Sequence, residues 1–143
     1  MRIGKLLANK GEFVATVPPE ASVWDALRLL ARHGVGALVV SADGRTPAGI
    51  VSERDVVRRL ADRGAGVLDG PVSDIMVSDL FCAGPDDEVE SLMTVMTERR
   101  IRHVPVLVDG KLIGIVSIGD VVKNRLEALA EDNRALFDYI HAR

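Results

Sequence analysis

The chain is poor in residues that mark several functional classes. Its single cysteine, Cys82, excludes an internal disulfide framework and any all-cysteine metal site. Aromatics make up 3% of the 143 positions (Phe13, Trp24, Phe81, Phe137 and Tyr139), too few for a stacking platform under single-stranded nucleic acid. Basic charge is not in excess. Eighteen Lys and Arg against 21 Asp and Glu give a formal net charge of −3, which makes nucleic acid an unexpected partner, although Arg54, Arg58, Arg59 and Arg63 form a local basic cluster. No apolar run approaches the roughly 20 residues of a membrane span, so no membrane is expected. The start, Met1-Arg2-Ile3-Gly4-Lys5, lacks the apolar stretch of a secretory signal.

Other absences concern catalysis. The three histidines, His33, His103 and His141, are scattered without metal-ligand spacing, so no metal site is expected. Gly34-Val35-Gly36 lacks the third glycine of a dinucleotide fingerprint, and Gly4-Lys5 and Gly110-Lys111 lack the upstream glycine of a P-loop. Asp86-Asp87-Glu88 stands at a helix start, where acidic charge complements the dipole. Cys82 ends an apolar segment and reads as an inert thiol. No catalytic residue is assigned. What the chain does have is 48% hydrophobic and 27% charged residues, the balance of one compact, soluble domain, expected in the cytoplasm.

The chain repeats itself. Gly49-Ile50-Val51-Ser52-Glu53-Arg54-Asp55-Val56-Val57 returns 65 positions later as Gly114-Ile115-Val116-Ser117-Ile118-Gly119-Asp120-Val121-Val122, with seven of nine residues identical. Upstream the offset is 66, matching Val23 to Val89, Leu27 to Met93, Leu30 to Met96, Val35 to Ile101, Val40 to Val106 and Asp43-Gly44 to Asp109-Gly110. The change of offset falls between Gly44 and Gly49, where a hairpin turn tolerates an insertion.

Each copy reads as strand, helix, strand, turn, strand, helix. In the first, Phe13–Val17 is a strand stopped by Pro18-Pro19, and Ser22 caps a helix from Val23 to His33 with Asp25 completing a box-like pattern and Gly34 at its end. Val35–Val40 and Gly49–Val51 are strands about Asp43-Gly44, and Asp55–Arg63 is an amphipathic helix. In the second, Leu80–Ala83 is a strand, Asp87 caps a helix to about Arg100, Val104–Val108 and Lys111–Val116 form a hairpin, and a long helix from Ser117 reaches about Ile140. Gly64–Pro71 reads as the linker. Val122, Leu126, Leu129, Leu136 and Ile140, with Asn133 at the missing seam position, make a coiled-coil-like stripe that either folds back on its own domain or meets a second copy.

The repeated Gly-Ile-Val-Ser-x-x-Asp carries the chemistry. It places a Ser at a strand-to-helix junction and an Asp one turn inside the helix. The helix N-terminus suits an anion, the hydroxyl donates and accepts, and a carboxylate matches the vicinal hydroxyls of a ribose. One copy alone is equally an N-capping pattern. Capping does not explain why Gly, Ile and Val repeat as well.

On these residues, and on Ile101-Arg102-His103-Val104-Pro105-Val106, the chain resembles a tandem pair of CBS domains, a Bateman module, from about Ile3 to Leu126. The lead-ins Ile3-Gly4-Lys5-Leu6-Leu7 and Val72-Ser73-Asp74-Ile75-Met76 resemble each other and the family's repeat starts. The resemblance implies an α+β (α/β-like) fold of two pseudo-twofold-related β-α-β-β-α repeats, residues 1–70 and 71–143, the second with an extended C-terminal helix. It implies clefts between the repeats that bind adenosine-containing ligands: AMP first, then ADP, ATP, NADH or S-adenosylmethionine, with no obligatory cofactor. It also implies a homodimer, and an effector partner of unknown identity.

The resemblance implies that Asp55 and Asp120 should each take a ribose, with Ser52 and Ser117 beside them, that Thr16-Val17-Pro18 and Ala83-Gly84-Pro85 should border the adenine, and that Val51 and Val116 are candidates for its apolar wall. The copies differ where the resemblance would put phosphates: the second copy has Arg102-His103 and Pro105, with Val104 between, at the positions where the first has Gly36-Ala37 and Val39, while Arg54 in the first stands at the position of Gly119 in the second. Arg54, Arg102 and His103 are the phosphate candidates. Arg99 and Arg100 read as a basic helix end. The alternatives to ligand sensing are a ligand-independent dimerisation scaffold and, less favoured, a nucleotide-processing enzyme.

Overall fold

The computed structural model describes residues 1–11 and 13–142; Glu12 and Arg143, which fall inside the two expected repeats, lie outside the described residues. Ten elements follow in order: α1 (Ile3–Lys10), β1 (Thr16–Val17), α2 (Val23–His33), β2 (Ala37–Val40), β3 (Gly49–Ser52), α3 (Glu53–Arg63), α4 (Val89–Arg99), β4 (His103–Val108), β5 (Lys111–Ser117) and α5 (Ile118–His141). The linker contains short 3₁₀ turns at Ala65–Asp69 and Val72–Asp74. The architecture is α+β, two copies of one unit with a long C-terminal helix.

In the first copy, β1 runs parallel to β2 and β2 antiparallel to β3. In the second, β4 and β5 form a hairpin closed by Asp109 and Gly110, both at positive φ, as a two-residue turn that matches strand twist requires. The first-copy turn is longer and is organised by Asp43, whose carboxylate accepts from Thr46 N (2.7 Å), Arg45 N (2.8 Å) and Ser41 Oγ (3.0 Å). The two backbone hydrogen bonds and that from Ser41 hold the Asp43 carboxyl far below the usual carboxylate range.

Two expected strands shrink. The expected strand Phe13–Val17 is a two-residue β1, because Phe13 is largely exposed. The expected Leu80–Ala83 strand is only a bridge from Ala83 to Val106. The reason lies opposite. In the first copy Val39 N donates to Ala15 O. The counterpart of Val39 is Pro105, which has no N–H, so that bond cannot form. Two bonds survive, Ala83 N to Pro105 O and Leu107 N to Ala83 O, both 2.9 Å.

Helix ends follow local chemistry. Ser22 Oγ accepts from Asp25 N at 3.1 Å, but the Asp25 carboxylate pairs with Arg28 and does not close a capping box. α2 ends on Gly34 in the left-handed region (φ 62°). Asp87 does not cap α4; Glu88 takes the N-cap position, and Asp87 Oδ2 instead accepts from Gly84 N (2.8 Å) and closes the preceding loop.

Each copy has its own apolar core, and each core is completed by the other copy's lead-in. Ile3, Leu6 and Leu7 of α1 are buried with Val89, Leu92, Met96, Val104, Val116 and Val121. Val72 and Ile75 are buried with Val17, Val23, Leu30, Leu38, Val51 and Val56. The exchange ties the copies together and stands them face to face.

α5 leaves the body of the protein. Every residue from Leu129 to Ala142 is exposed, and Leu126, Leu129, Leu136 and Ile140 keep their stripe in solvent. Of the two alternatives for the stripe, the fold-back is not adopted. Among the described residues no helix is long and apolar enough to cross a membrane.

Candidate functional site

Every letter of the repeated motif has a separate task. Glycine admits the exchanged lead-in: a Cβ on Gly114 would stand 2.7 Å from Leu7 Cδ2, and one on Gly49 would stand 2.6 Å from Met76 Sδ and 2.9 Å from Val77 O. Isoleucine and valine alternate across the strand. Val51 and Val116 are fully buried in the two cores, while Ile50 and Ile115 line the clefts between the copies. Serine and aspartate form a full capping box in both copies. Ser52 Oγ accepts from Asp55 N (3.2 Å), and Asp55 Oδ2 accepts from Ser52 N (2.8 Å) and Ser52 Oγ (2.9 Å). Asp120 repeats the pattern, taking Ser117 N at 2.9 Å. The cap commits Oδ2 of each Asp, and among the described residues Oδ1 takes no hydrogen bond.

The first helical turns are partly occupied too. Glu53 N donates to Gly36 O (3.1 Å) and Ile118 N to Arg102 O (2.8 Å), so each helix start is tied to the residue that precedes the first hairpin strand of its own copy. With Asp55 N and Asp120 N bound to the cap serines, Arg54 N and Gly119 N are the first-turn donors left for an anion.

Cleft 1, about 270 Å³, lies between the β3–α3 junction and the start of β4. Ser52, Asp55, Arg54 and Arg58 come from the first copy, and Arg100, Arg102 and His103 from the second; Ile50, Val77, Ile101 and Ala37 supply apolar wall. Among the described residues none of these four guanidiniums pairs with a carboxylate within 4.0 Å. Arg100 is also conformationally unusual: it ends α4 in the left-handed region (φ 54°), where the matching residue of the first copy is Gly34. That conformation costs a side-chain-bearing residue about 1–2 kcal/mol.

Cleft 2, about 390 Å³, is built from Ser117, Asp120 and Ile115 opposite Gly34, Val35, Gly36 and Ala37, with Lys10, Gly11, Phe13 and Ala15 along one side. His103 and Ala37 line both clefts. Burial lowers the His103 pKa and the Lys10 charge lowers it further, so both favour the neutral imidazole. Burial pushes the Asp120 carboxyl up, but hydrogen bonds from Lys10 and Ser117 outweigh it and hold the carboxyl below its ordinary value. Burial also pushes the Cys82 thiol up, consistent with an inert group.

Of the sequence-derived candidates, Ser52, Arg54, Asp55, Arg102, His103 and Ala37 meet in cleft 1, and Ser117, Asp120, Gly36, Ala37 and His103 in cleft 2. Thr16, Val17 and Pro18 do not border either cleft. β1 is parallel to β2, which starts at the cleft with Ala37 and ends at the Asp43 turn, so the end of β1 lies beside that turn and its approach, Phe13 and Ala15, faces cleft 2. Ala83, Gly84 and Pro85 are likewise displaced: Ala83 is buried in the second core and Pro85 O accepts from Gly4 N of α1 (2.8 Å). Val104 and Pro105 are buried in the strand, and Gly119, though exposed, lies outside the lining of both clefts. Val51 and Val116 lie in the cores and line neither cleft; the alternation gives the cleft wall to Ile50 and Ile115.

The sequence reading missed Arg58, Arg100 and Lys10. Arg99, read as a helix-end charge, stacks over Phe81 at 5.1 Å, whereas its neighbour Arg100 turns into cleft 1. The signal for Arg100 was present: offset 66 sets it on Gly34, the C-cap glycine.

The comparisons agree with this geometry. The CBS-domain family profile matches twice, over residues 12–62 and 72–127. A mitochondrial CBS domain-containing protein of Arabidopsis thaliana is 40% identical over 83% of the chain, which spans only 60% of that relative's length. The crystal structure of a CBS-domain-containing protein from Agrobacterium tumefaciens is 43% identical, with a TM-score of 0.84 over 87% of this chain and 99% of that one. A CBS domain protein from Pyrobaculum aerophilum complexed with AMP is 32% identical, with a TM-score of 0.75 over 84% and 89% of the two chains. Two matched repeats, their exchanged lead-ins and their paired clefts place this chain in the CBS-domain family, as a tandem pair.

Proposed function

We propose that the protein is a regulatory, non-catalytic module that binds an adenine nucleotide, AMP first, in cleft 1 and passes its occupancy to a partner protein. The observation that carries the reading is the group of four guanidiniums, Arg54, Arg58, Arg100 and Arg102, that pair with no carboxylate among the described residues and are drawn from both copies around one carboxylate-bearing helix start. Against Glu53 and Asp55, and with His103 neutral, the lining sums to two positive charges. That balances the roughly two negative charges of a nucleoside monophosphate; a free triphosphate carries about four and would leave negative charge in excess. In this reading Asp55 Oδ1 accepts from ribose, and Ile50 and Val77 offer apolar surface to a base. The AMP complex of the Pyrobaculum relative supports the same ligand class.

A ligand there touches both copies at once. It therefore favours whichever relative placement of the copies brings Arg100 and Arg102 nearest to Asp55, and that differential affinity is what a regulatory module needs. The test is thermal unfolding of ligand-stripped protein with AMP, ADP, ATP, NADH and S-adenosylmethionine. At 100 times its dissociation constant AMP stabilises the fold by about 2.7 kcal/mol. The shift is lost in Asp55→Ala. No shift with any of the five, in folded and ligand-free protein, overturns the reading and leaves a ligand-independent scaffold.

The same reading includes a homodimer through α5. A stretch of 14 residues standing clear of the body is marginal as an isolated helix, and this one carries Leu136, Phe137, Tyr139 and Ile140 in solvent. Residues 121–130 of α5 carry Lys123, Arg125 and Glu127, and residues 131–142 carry Glu131, Asp132, Arg134 and Asp138. A second copy laid antiparallel sets the net basic half against the net acidic half and covers both stripes. Sedimentation of Leu129→Asp/Leu136→Asp as a monomer supports this; an unchanged dimer overturns it.

A further inference from the structure

Asp55 and Asp120 hold the same position in the repeated motif, but their surroundings differ in one residue. Lys10 Nζ donates to Asp120 Oδ2 at 2.6 Å and to the Ile115 carbonyl at 2.7 Å. Both partners belong to the wall of cleft 2, and Lys10 itself lines it. Among the described residues Asp55 receives no such cation; its carboxylate accepts from the backbone and hydroxyl of Ser52.

The ammonium is delivered by a fixed element. Lys10 is the last residue of α1, whose Ile3, Leu6 and Leu7 are buried in the second core and whose Leu7 packs on Gly114. The lead-in of the other copy makes the matching contact through Met76 on Gly49. Three residues beyond Leu7 stands Lys10; three beyond Met76 stands Asp79, exposed and of opposite sign. The lead-in exchange thus brings a cation to one motif aspartate and none to the other.

We propose that Lys10 closes cleft 2 to nucleotide by occupying the ribose-binding carboxylate of Asp120, so that the chain binds one nucleotide, in cleft 1. The proposal rests on the nucleotide reading of the clefts. A ribose diol is a neutral donor, and an ammonium on a half-buried carboxylate makes the stronger, charge-assisted bond. The two side chains are 30% and 23% exposed, so water screens the pair only in part. Lys10 also spends a second donor on Ile115 O, which fixes its direction across the cleft wall. Lys10 shares Oδ2 with the cap, so a ribose diol that bridges both oxygens of Asp120 would have to displace it, and one approaching Oδ1 alone would meet the ammonium beside it in the cleft wall.

The test is calorimetric titration of AMP into ligand-stripped protein. Wild type takes one equivalent per chain. Lys10→Met, which keeps the apolar stem and removes the ammonium, takes two, with affinity in cleft 2 raised at least ten-fold; Lys10→Arg stays at one. Lys10→Met/Asp120→Ala returns to one, and Asp55→Ala removes the wild-type equivalent. Urea denaturation of each variant without ligand confirms that it is folded. One equivalent in both wild type and Lys10→Met, or two in wild type, overturns the Lys10 proposal while the nucleotide reading stands. No AMP binding in any variant overturns the nucleotide reading, and this proposal with it.

Discussion

Arg100 offers a direct test of whether cleft 1 was shaped for an anion at the expense of stability. The residue sits at φ 54°, where the first copy uses Gly34, and its side chain lines cleft 1. Arg100→Gly removes a left-handed penalty of about 1–2 kcal/mol. It also adds freedom to the unfolded chain, which returns roughly 0.4–1 kcal/mol. The apo protein is therefore expected to gain between zero and about 1.5 kcal/mol, a Tm rise of up to roughly 6 °C for a chain of this length. Binding moves the other way. A hydrogen bond from a cation to phosphate is worth about 1.5–3 kcal/mol, and the exposure of Arg100 argues for the lower end, roughly a ten-fold loss in AMP affinity. Urea denaturation without ligand measures the first effect and AMP titration the second. A destabilised apo protein would refute the strain argument. Unchanged AMP affinity would refute the placing of Arg100 on the ligand.

Three further outcomes follow from the geometry. Gly49→Ala is expected to cost about 1–3 kcal/mol, because a Cβ there meets the Val77 carbonyl, which the bridge to Ile50 holds in place; Gly114→Ala, which meets the end of the Leu7 side chain and no backbone atom within 3.4 Å, costs less, and equal costs in urea denaturation would contradict this. Ser52→Ala removes a capping box and is expected to cost about 1 kcal/mol, with Ser117→Ala costing a similar amount. His103 has its pKa lowered by burial first and by the Lys10 charge second. The unfolded chain therefore takes up the proton more readily. The His103 contribution to stability is complete above about pH 6.5 and is lost as pH falls through the lower folded value. A urea series across that window shows the slope in wild type and a flatter one in His103→Gln.

Much of this was legible in the sequence because the chain states it twice. The offset between Gly49 and Gly114 implied two units, and the capping boxes followed from Ser-x-x-Asp. Even the missing strand at Leu80–Ala83 was open to reading, since Pro105 stands where Val39 donates its N–H. Other features were not. Strand alternation says that Ile50 and Val51 face opposite ways, but not which of them faces the core. That choice is made by the other layer of the fold. The lead-in exchange depends on contacts such as Leu7 with Gly114, more than a hundred residues apart, and no local pattern encodes which copy a lead-in joins.

The exchange also explains how a duplicated motif yields unequal clefts. Had each lead-in packed on its own copy, Lys10 would stand beside Asp55 and Asp79 beside Asp120. Crossing over places Lys10 on Asp120, opposite the copy that has Gly36 and Ala37, and keeps it away from the cleft where Arg102 and His103 face Asp55. Cation and carboxylate are thereby paired in cleft 2, while in cleft 1 the cations remain in excess over the carboxylates. An excess of fixed positive charge in a cleft is a standing cost that a bound anion relieves. The cleft without its own cation plug is thus also the one that would gain most from a phosphate, and a single ligand bound there would contact both copies. His103 lines both clefts, so a nucleotide in cleft 1 would share one imidazole with the wall that holds the Lys10–Asp120 pair.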